Sequence, residues 1–279
     1  MPQVSASEVL PMWQHLSQRH WPEWGPLLRG QDDQQALDRQ AGLAPVLLAF
    51  GQHLGLAADS LHCLPTAQRA ALAVEWARSL CWRLTVPVLG LLVRHGIGLG
   101  VPAARLPLFL DADCRVAAWS WPADLAAQDL TAASDAAITD WLHNWLAETW
   151  RPLIDELVQC GQADSRLLWQ VLAGYWQWWL EQAVLQGADP RETAAEHRQQ
   201  LALAVVRQRD WPALVARIQP GSRSGRNPLY APWRRGQDAD GQPILQPRLC
   251  CHRDRLPGVA TCPGCPLAGS PHKNEKPRS

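Results

Sequence analysis

Asp135 to Gln159 reads DAAITDWLHNWLAETWRPLIDELVQ, and its apolar residues decide the fold class. Ile138, Trp141, Leu142, Trp145, Leu146, Leu153 and Leu157 recur at steps near three and four. That is the period of one face of an α-helix. Pro152 has no amide hydrogen and is expected to interrupt the helix. Working outward, Leu167 to Leu185 sets Trp169, Trp176, Trp179 and Leu180 on one face. Residues 66–95 carry Leu72, Val74, Trp76, Leu80 and Leu84, with Pro87 expected to kink or end the segment. Shorter amphipathic stretches cover 6–20, 33–55 (Leu37, Leu43, Val46, Leu47, Phe50) and 192–218 (Leu201, Leu203, Val205, Val206), the last with Pro212 near its end. These stretches predict a mainly α-helical body over residues 1–220. One segment breaks the pattern: Leu106 to Trp121 (LPLFLDADCRVAAWSW) flanks Asp111-Ala112-Asp113 with apolar runs and predicts a small β-hairpin.

The chain has 279 residues, enough to bury a substantial core, and 47% hydrophobic against 19% charged residues excludes a disordered polypeptide. Of 20 aromatic residues 16 are Trp, which supply buried area; Trp141, Trp145, Trp169, Trp176 and Trp179 are assigned to the core. The 26 basic and 26 acidic side chains cancel, which argues against a nucleic-acid partner. The balance conceals an asymmetry. Residues 1–220 hold 16 basic and 22 acidic groups, net −6, and residues 221–279 hold 10 and 4, net +6. The breaker-rich segment Gln219 to Gly225 falls at the same place, so a loop-rich C-terminal module is expected over 221–279.

MPQVSASEVLPMWQHL lacks the basic and apolar regions of a secretory signal. The most apolar run, Leu84 to Val93, falls short of the ~20 residues a membrane span needs. A cytoplasmic protein is expected, with room for peripheral contact with a membrane protein. No glycine-rich nucleotide fingerprint and no phosphate loop occur. The histidines at 15, 20, 53, 62, 95, 143 and 197 lack zinc-protease spacing.

The chemistry lies in the cysteines. Cys63, Cys81, Cys114 and Cys160 are scattered through apolar sequence and read as small buried hydrophobes. Cys250, Cys251, Cys262 and Cys265 fall within 16 residues, LCCHRDRLPGVATCPGC. In a reducing compartment such clustering points to a metal or a redox role. The two-residue gap lets Cys262 and Cys265 turn toward one centre, and Pro263-Gly264 leaves an amide free to face sulfur, which tunes a cluster's potential. Structural zinc prefers pairs two to four residues apart, which the adjacent Cys250-Cys251 fits poorly. A [2Fe–2S] cluster is larger and takes neighbouring sulfurs more readily. A redox dithiol at Cys262-Pro263-Gly264-Cys265 is a third reading, though such a motif normally opens a helix. His252, beside Cys251, is an alternative ligand of the Rieske kind.

The Cys-Cys-x10-Cys-x2-Cys spacing, the intervening Arg255-Leu256-Pro257 and the Trp-rich helical body before them resemble the ferric-siderophore reductase family, the FhuF-like proteins. The resemblance implies that Cys250, Cys251, Cys262 and Cys265 ligate a [2Fe–2S] cluster. It implies one-electron reduction of siderophore-bound Fe(III) with release of Fe(II). Electrons would come from a separate donor, of ferredoxin or flavin type, and peripheral contact with an uptake transporter is compatible with it. Arg226, Tyr230, Trp233, Arg234 and Arg235, within RNPLYAPWRR, combine flat rings with guanidinium groups and are candidates for contacting the chelate. Alternatively, the rings pack the module onto the body while the arginines stay solvated. Arg248, Arg253 and Arg255 flank the cysteines and would either offset a cluster's negative charge and raise its potential or serve solubility alone. Asp238-Ala239-Asp240-Gly241 reads as a reverse turn. Two other functions fit the residues: a zinc-stapled binding protein, and a siderophore-handling protein whose cluster is structural or sensing.

Overall fold

A computed structural model describes residues 2–29, 37, 41–122, 124–185, 193–222, 225–237, 242–262 and 265. The fold is mainly α. Its helices are α1 (Ala6–His20), α2 (Ala44–His53), α3 (Thr66–His95), α4 (Asp135–Trp145), α5 (Arg151–Gly161), α6 (Ser165–Gln182), α7 (Thr193–Arg207) and α8 (Pro212–Ile218). Among the described residues, eight short strands accompany them: β1 (Gln3–Val4), β2 (Leu28–Arg29), β3 (Ile97–Gly98), β4 (Leu108–Leu110), β5 (Val116–Ser120), β6 (Ala127–Asp129), β7 (Trp233–Gln237) and β8 (Pro243–Pro247).

α3 is the axis of the molecule. It is apolar on nearly every side and packs against α1, α2, α5, α6, α7 and β5. It is 30 residues long and apolar enough by composition to cross a bilayer, but 78% of its most apolar window is buried against the rest of the chain. Helix and apolar run differ because the run is bounded by the charged Arg83 and Arg94, whereas the helix also includes Glu75, Arg78 and Arg83. Pro87 neither ends nor replaces it. The carbonyl that the missing Pro87 amide would have bonded belongs to Arg83 and is taken by the indole Nε1 of Trp119, at 3.1 Å. A side chain of β5 thus restores the bond that proline removes. The helix stops at Gly96, which adopts φ +67° as its C-cap, a left-handed conformation that glycine tolerates best.

The Asp135–Gln159 stretch forms α4 and α5, joined by a π-helical turn over Leu146–Trp150. Pro152 lies in the first turn of α5, where an amide is dispensable. The hydroxyl of Thr149 in the π turn donates to the Val101 carbonyl at 2.6 Å. The expected hairpin is present as antiparallel β4 and β5, with β2 added in parallel to β5. The Asp111 carboxylate accepts the amides of Asp113 and Arg115 at 3.0 and 2.9 Å and so closes the turn. A second small sheet, β1-β6-β3, was not foreseen.

Two helix expectations are corrected. Among the described residues of 33–55 the α-helix is Ala44–His53, and the Leu37 amide instead bonds the Leu108 carbonyl at 2.7 Å; 33–36 and 38–40 lie outside the described residues. The 192–218 stretch is two helices, with Pro212 opening α8. Asn227 caps the break, its Nδ2 donating to the carbonyls of Val205 and Gln208 at 2.6 and 2.9 Å. The Ala231 amide adds a bond to the Val206 carbonyl at 3.0 Å. The segment after residue 220 therefore finishes the end of α7, and Leu229, Cys251 and Leu256 join the main apolar cluster. The tail has regular structure of its own, the antiparallel pair β7–β8.

The five tryptophans assigned to the core are buried there, none more than 4% exposed. The expectation for the four scattered cysteines holds unevenly. Cys81 is buried and Cys114 and Cys160 partly so, but Cys63 is exposed, its thiol 3.3 Å from the Ser60 hydroxyl in a short surface turn. An apolar neighbourhood in sequence does not guarantee an inward side chain outside a long helix.

His143 on α4 is buried edge-on to Trp211, and its Nε2 has no hydrogen-bond partner among the described residues. Burial first, then the Arg217 guanidinium, lowers its pKa to about 4, against the opposing pull of Asp140. The folded protein keeps this ring neutral while an unfolded chain takes up a proton from about pH 6.5 downward. Stability is therefore expected to be unaffected by this group above about pH 6.5 and to fall by about 3 kcal/mol as pH drops to about 4. His143→Phe should flatten that part of the profile; urea titrations at stepped pH values measure it, and an unchanged slope rejects the assignment.

Candidate metal centre

After β8 the chain bends at Arg248-Leu249 and delivers Cys250 and Cys251 to the side of α3. Adjacent side chains normally diverge, and here they do: Cys251 turns inward, while the Cys250 sulfur accepts the His252 amide at 3.4 Å. His252 has φ +57°, a conformation that reverses the chain immediately after the pair. It thus contributes through its backbone. The turn Arg253–Arg255 follows, Leu256 is buried, and the chain returns to place Cys262 opposite Cys251. The two sulfurs are 2.9 Å apart, too long for a disulfide bond. The Cys265 amide donates to the Cys262 carbonyl at 3.1 Å.

The sulfurs sit over a charged group from α3. The Arg78 Nη2 donates to the Cys262 sulfur at 3.4 Å. Glu75, 8% exposed, binds Arg253 through both oxygens at 2.9 and 3.1 Å and Arg78 at 3.5 Å. One buried carboxylate thus orients two guanidinium groups beside the thiols. The hydrogen bond from Cys251, opposed by burial and aided by Arg78 and then Arg253, holds the Cys262 pKa below that of an ordinary thiol. The same hydrogen bond, with burial, raises Cys251. Burial raises Cys250, against the His252 amide and with contributions from Cys251 and Cys265. The arrangement separates one proton-bearing sulfur from one poised as thiolate, the form that binds metal.

All four tail cysteines are free thiols. Among the described residues, no three His, Cys, Asp or Glu side chains are grouped tightly enough to hold a metal ion. The donor set nevertheless suits an iron–sulfur group: soft sulfur ligands, partial burial, and two cations to offset the negative charge of thiolate ligation. Pro263 and Gly264, and with them the amide expected to face sulfur, lie outside the described residues, as does Asp238 to Gly241.

Beside the sulfurs a cleft opens between α3, α6 and the β7–β8 pair. One basin, about 430 Å³, has walls of Trp82, Tyr175, Trp178 and Trp233 and reaches Cys251. Trp82 lies 5.3 Å from Trp178 and 6.0 Å from Tyr175, ring centre to ring centre. Trp233 approaches because residue 174 of α6 is glycine; a β-carbon there would come within 3.1 Å of the indole. A second basin, about 490 Å³, includes Arg166, Arg226 and Tyr230 and shares Gln170, Arg248 and Leu249 with the first.

The proposed chelate contacts are therefore divided. Trp233 lines the aromatic basin, and Arg226 and Tyr230 line the polar one. Arg234 and Arg235 are exposed on β7, outside both linings. Sequence reasoning missed Glu75, Arg78, Trp82, Gln170, Tyr175 and Trp178. A signal existed for the first two: they are the only charges between Arg69 and Arg83, a pair three residues apart in otherwise apolar helix. Two charges there call for a partner, and the partner is the cysteine segment. No protein-family model matches the chain, and no curated protein is detectably similar to it.

Proposed function

We propose that this protein is a cytoplasmic ferric-chelate reductase, carrying a [2Fe–2S] cluster on Cys250, Cys251, Cys262 and Cys265 and acting on siderophore-bound Fe(III). The observation that carries this reading is the position of Cys251, which belongs both to the thiol group and to the wall of an aromatic cleft. Bound to the four thiolates, such a cluster supplies storage for a single electron. The remaining parts are the chain's own. Arg78 and Arg253 lower the cost of negative charge on the sulfurs, and Glu75 fixes their direction. The cleft brings a ligand against Cys251 without requiring a covalent step. Siderophores hold Fe(III) through hard anionic oxygens. One electron, delivered by a separate ferredoxin- or flavin-type donor, yields Fe(II), which those oxygens bind far more weakly.

Protein purified without air is expected to be brown, to contain two irons and two acid-labile sulfides per chain, and to bleach with dithionite. Mixed in the reduced state with a ferric siderophore and a ferrous trap, it should accelerate Fe(II) capture. A colourless zinc protein overturns the proposal in favour of a stapled binding protein. A brown protein that leaves capture unaccelerated assigns the cluster a structural or sensing role instead.

A further inference from the structure

The two basins differ in chemistry, and the difference selects a class of chelate. The first is walled by three indoles and a phenol. Such walls favour stacking on a flat aromatic group. A cavity of about 150 Å³ already accepts benzene, so about 430 Å³ admits an aryl ring together with the amide that tethers it. Trp178 is 42% exposed at this edge, a large apolar surface left open to a ligand. The second basin presents the exposed guanidinium groups of Arg166 and Arg248. No aspartate or glutamate is among the described residues lining either basin. The second basin thus favours an anion.

Gln170 stands on the shared wall. Its Nε2 is committed to the carbonyls of Pro228 and Tyr230 at 2.6 and 3.3 Å. Its buried Oε1 has no hydrogen-bond donor among the described residues. A ligand N–H or O–H that reaches this oxygen would supply the missing donor.

We infer that the cleft binds an aryl-bearing anionic ferric chelate of the catecholamide class, one aryl arm lying between Trp82, Trp178 and Trp233 and the charged remainder over Arg166 and Arg248. The inference rests on the ferric-chelate reading above and narrows its substrate. Three dianionic catecholates leave Fe(III) triply negative and bring flat rings. Three monoanionic hydroxamates on aliphatic arms give a neutral complex without rings, and match neither basin.

The test uses the full chain and redox-inert Ga(III) complexes, so that binding is read without electron transfer. Calorimetry is run with the Ga(III) complex of a hexadentate tris-catecholamide and with that of a linear trihydroxamate. The catecholamide is expected to bind at least about tenfold more tightly, and more weakly as salt rises. Trp178→Ala and Arg248→Ala, both at exposed positions, should each weaken the catecholamide about tenfold, leave the hydroxamate unchanged and preserve the far-ultraviolet circular dichroism. Equal affinities, a preference for the hydroxamate, binding of neither, or variants indistinguishable from wild type would overturn the inference. If the Ga(III) catecholamide binds as expected and its Fe(III) counterpart is not reduced, the reductase reading falls while the binding site stands.

Discussion

On the proposed reading, Cys251→Ser is expected to empty the protein of the [2Fe–2S] cluster and to lower ferric-chelate reduction by more than about 100-fold. Changes in groups that merely hydrogen-bond a metal ligand typically cost about 10- to 100-fold, and loss of a ligand costs more. Cys251 is the most exacting position of the four. It is buried, touches Cys262 and lines the cleft, so its loss removes the sulfur that joins the thiol group to the cleft. Serine offers a hard, protonated oxygen where soft thiolate is needed. The helices do not depend on this sulfur, so the circular dichroism should survive. Cys160→Ser is the control. That thiol is partly buried on α5, its pKa raised to about 11 by burial and then Glu156, and its loss should leave the visible spectrum intact. Iron and sulfide analysis with visible spectroscopy reads both variants. A Cys251→Ser protein that keeps full cluster content removes Cys251 from the ligand set.

A second large effect is expected away from the sulfurs. Trp179 is wholly buried and packs against Trp21 and Trp24, each 4.8 Å away between ring centres, with Trp82 at 6.4 Å. Trp179→Ala should cost about 3–5 kcal/mol, since so large a cavity at the centre of a ring cluster cannot close. The melting temperature should drop by on the order of 10 °C. Trp179→Phe should cost much less. It keeps most of the ring, and it removes an indole N–H that has no acceptor among the described residues. Trp24 links this cluster to the cleft, standing edge-on to Trp82 at 5.2 Å, so the alanine variant should also loosen the aromatic basin. Urea denaturation measures the first effect. A loss below about 1 kcal/mol would show that the ring does not fill the core.

Much of this architecture was legible in the chain itself, and the rest was hidden for specific reasons. The period of Ile138, Trp141, Leu142 and Trp145 announced α4, because one buried face repeats every 3.6 residues whatever it meets. The Asp111 turn announced the hairpin for an equally local reason. Pro87 misled because the donor that compensates for it, Trp119, comes from 32 residues further along the chain. The α7–α8 break was hidden because Asn227, which caps it, lies beyond the break. The cysteine quartet was visible as a spacing. Its setting was not, since Glu75 and Arg78 belong to a helix 175 residues upstream of Cys250. The cleft was least legible of all. Its rings come from three separate elements, one from α3, two from α6 and one from β7, and no short window of sequence contains more than two of them.

The clamp of Glu75 on Arg253 has a practical consequence. The cysteine tail is not a portable cassette. Fused to another protein without α3, it would lose Glu75, which orients Arg253, and Arg78, which faces Cys262. A graft of this centre would have to carry the central helix with it, and shortening the native chain at Gly221 would strip the end of α7 of its Asn227 cap as well.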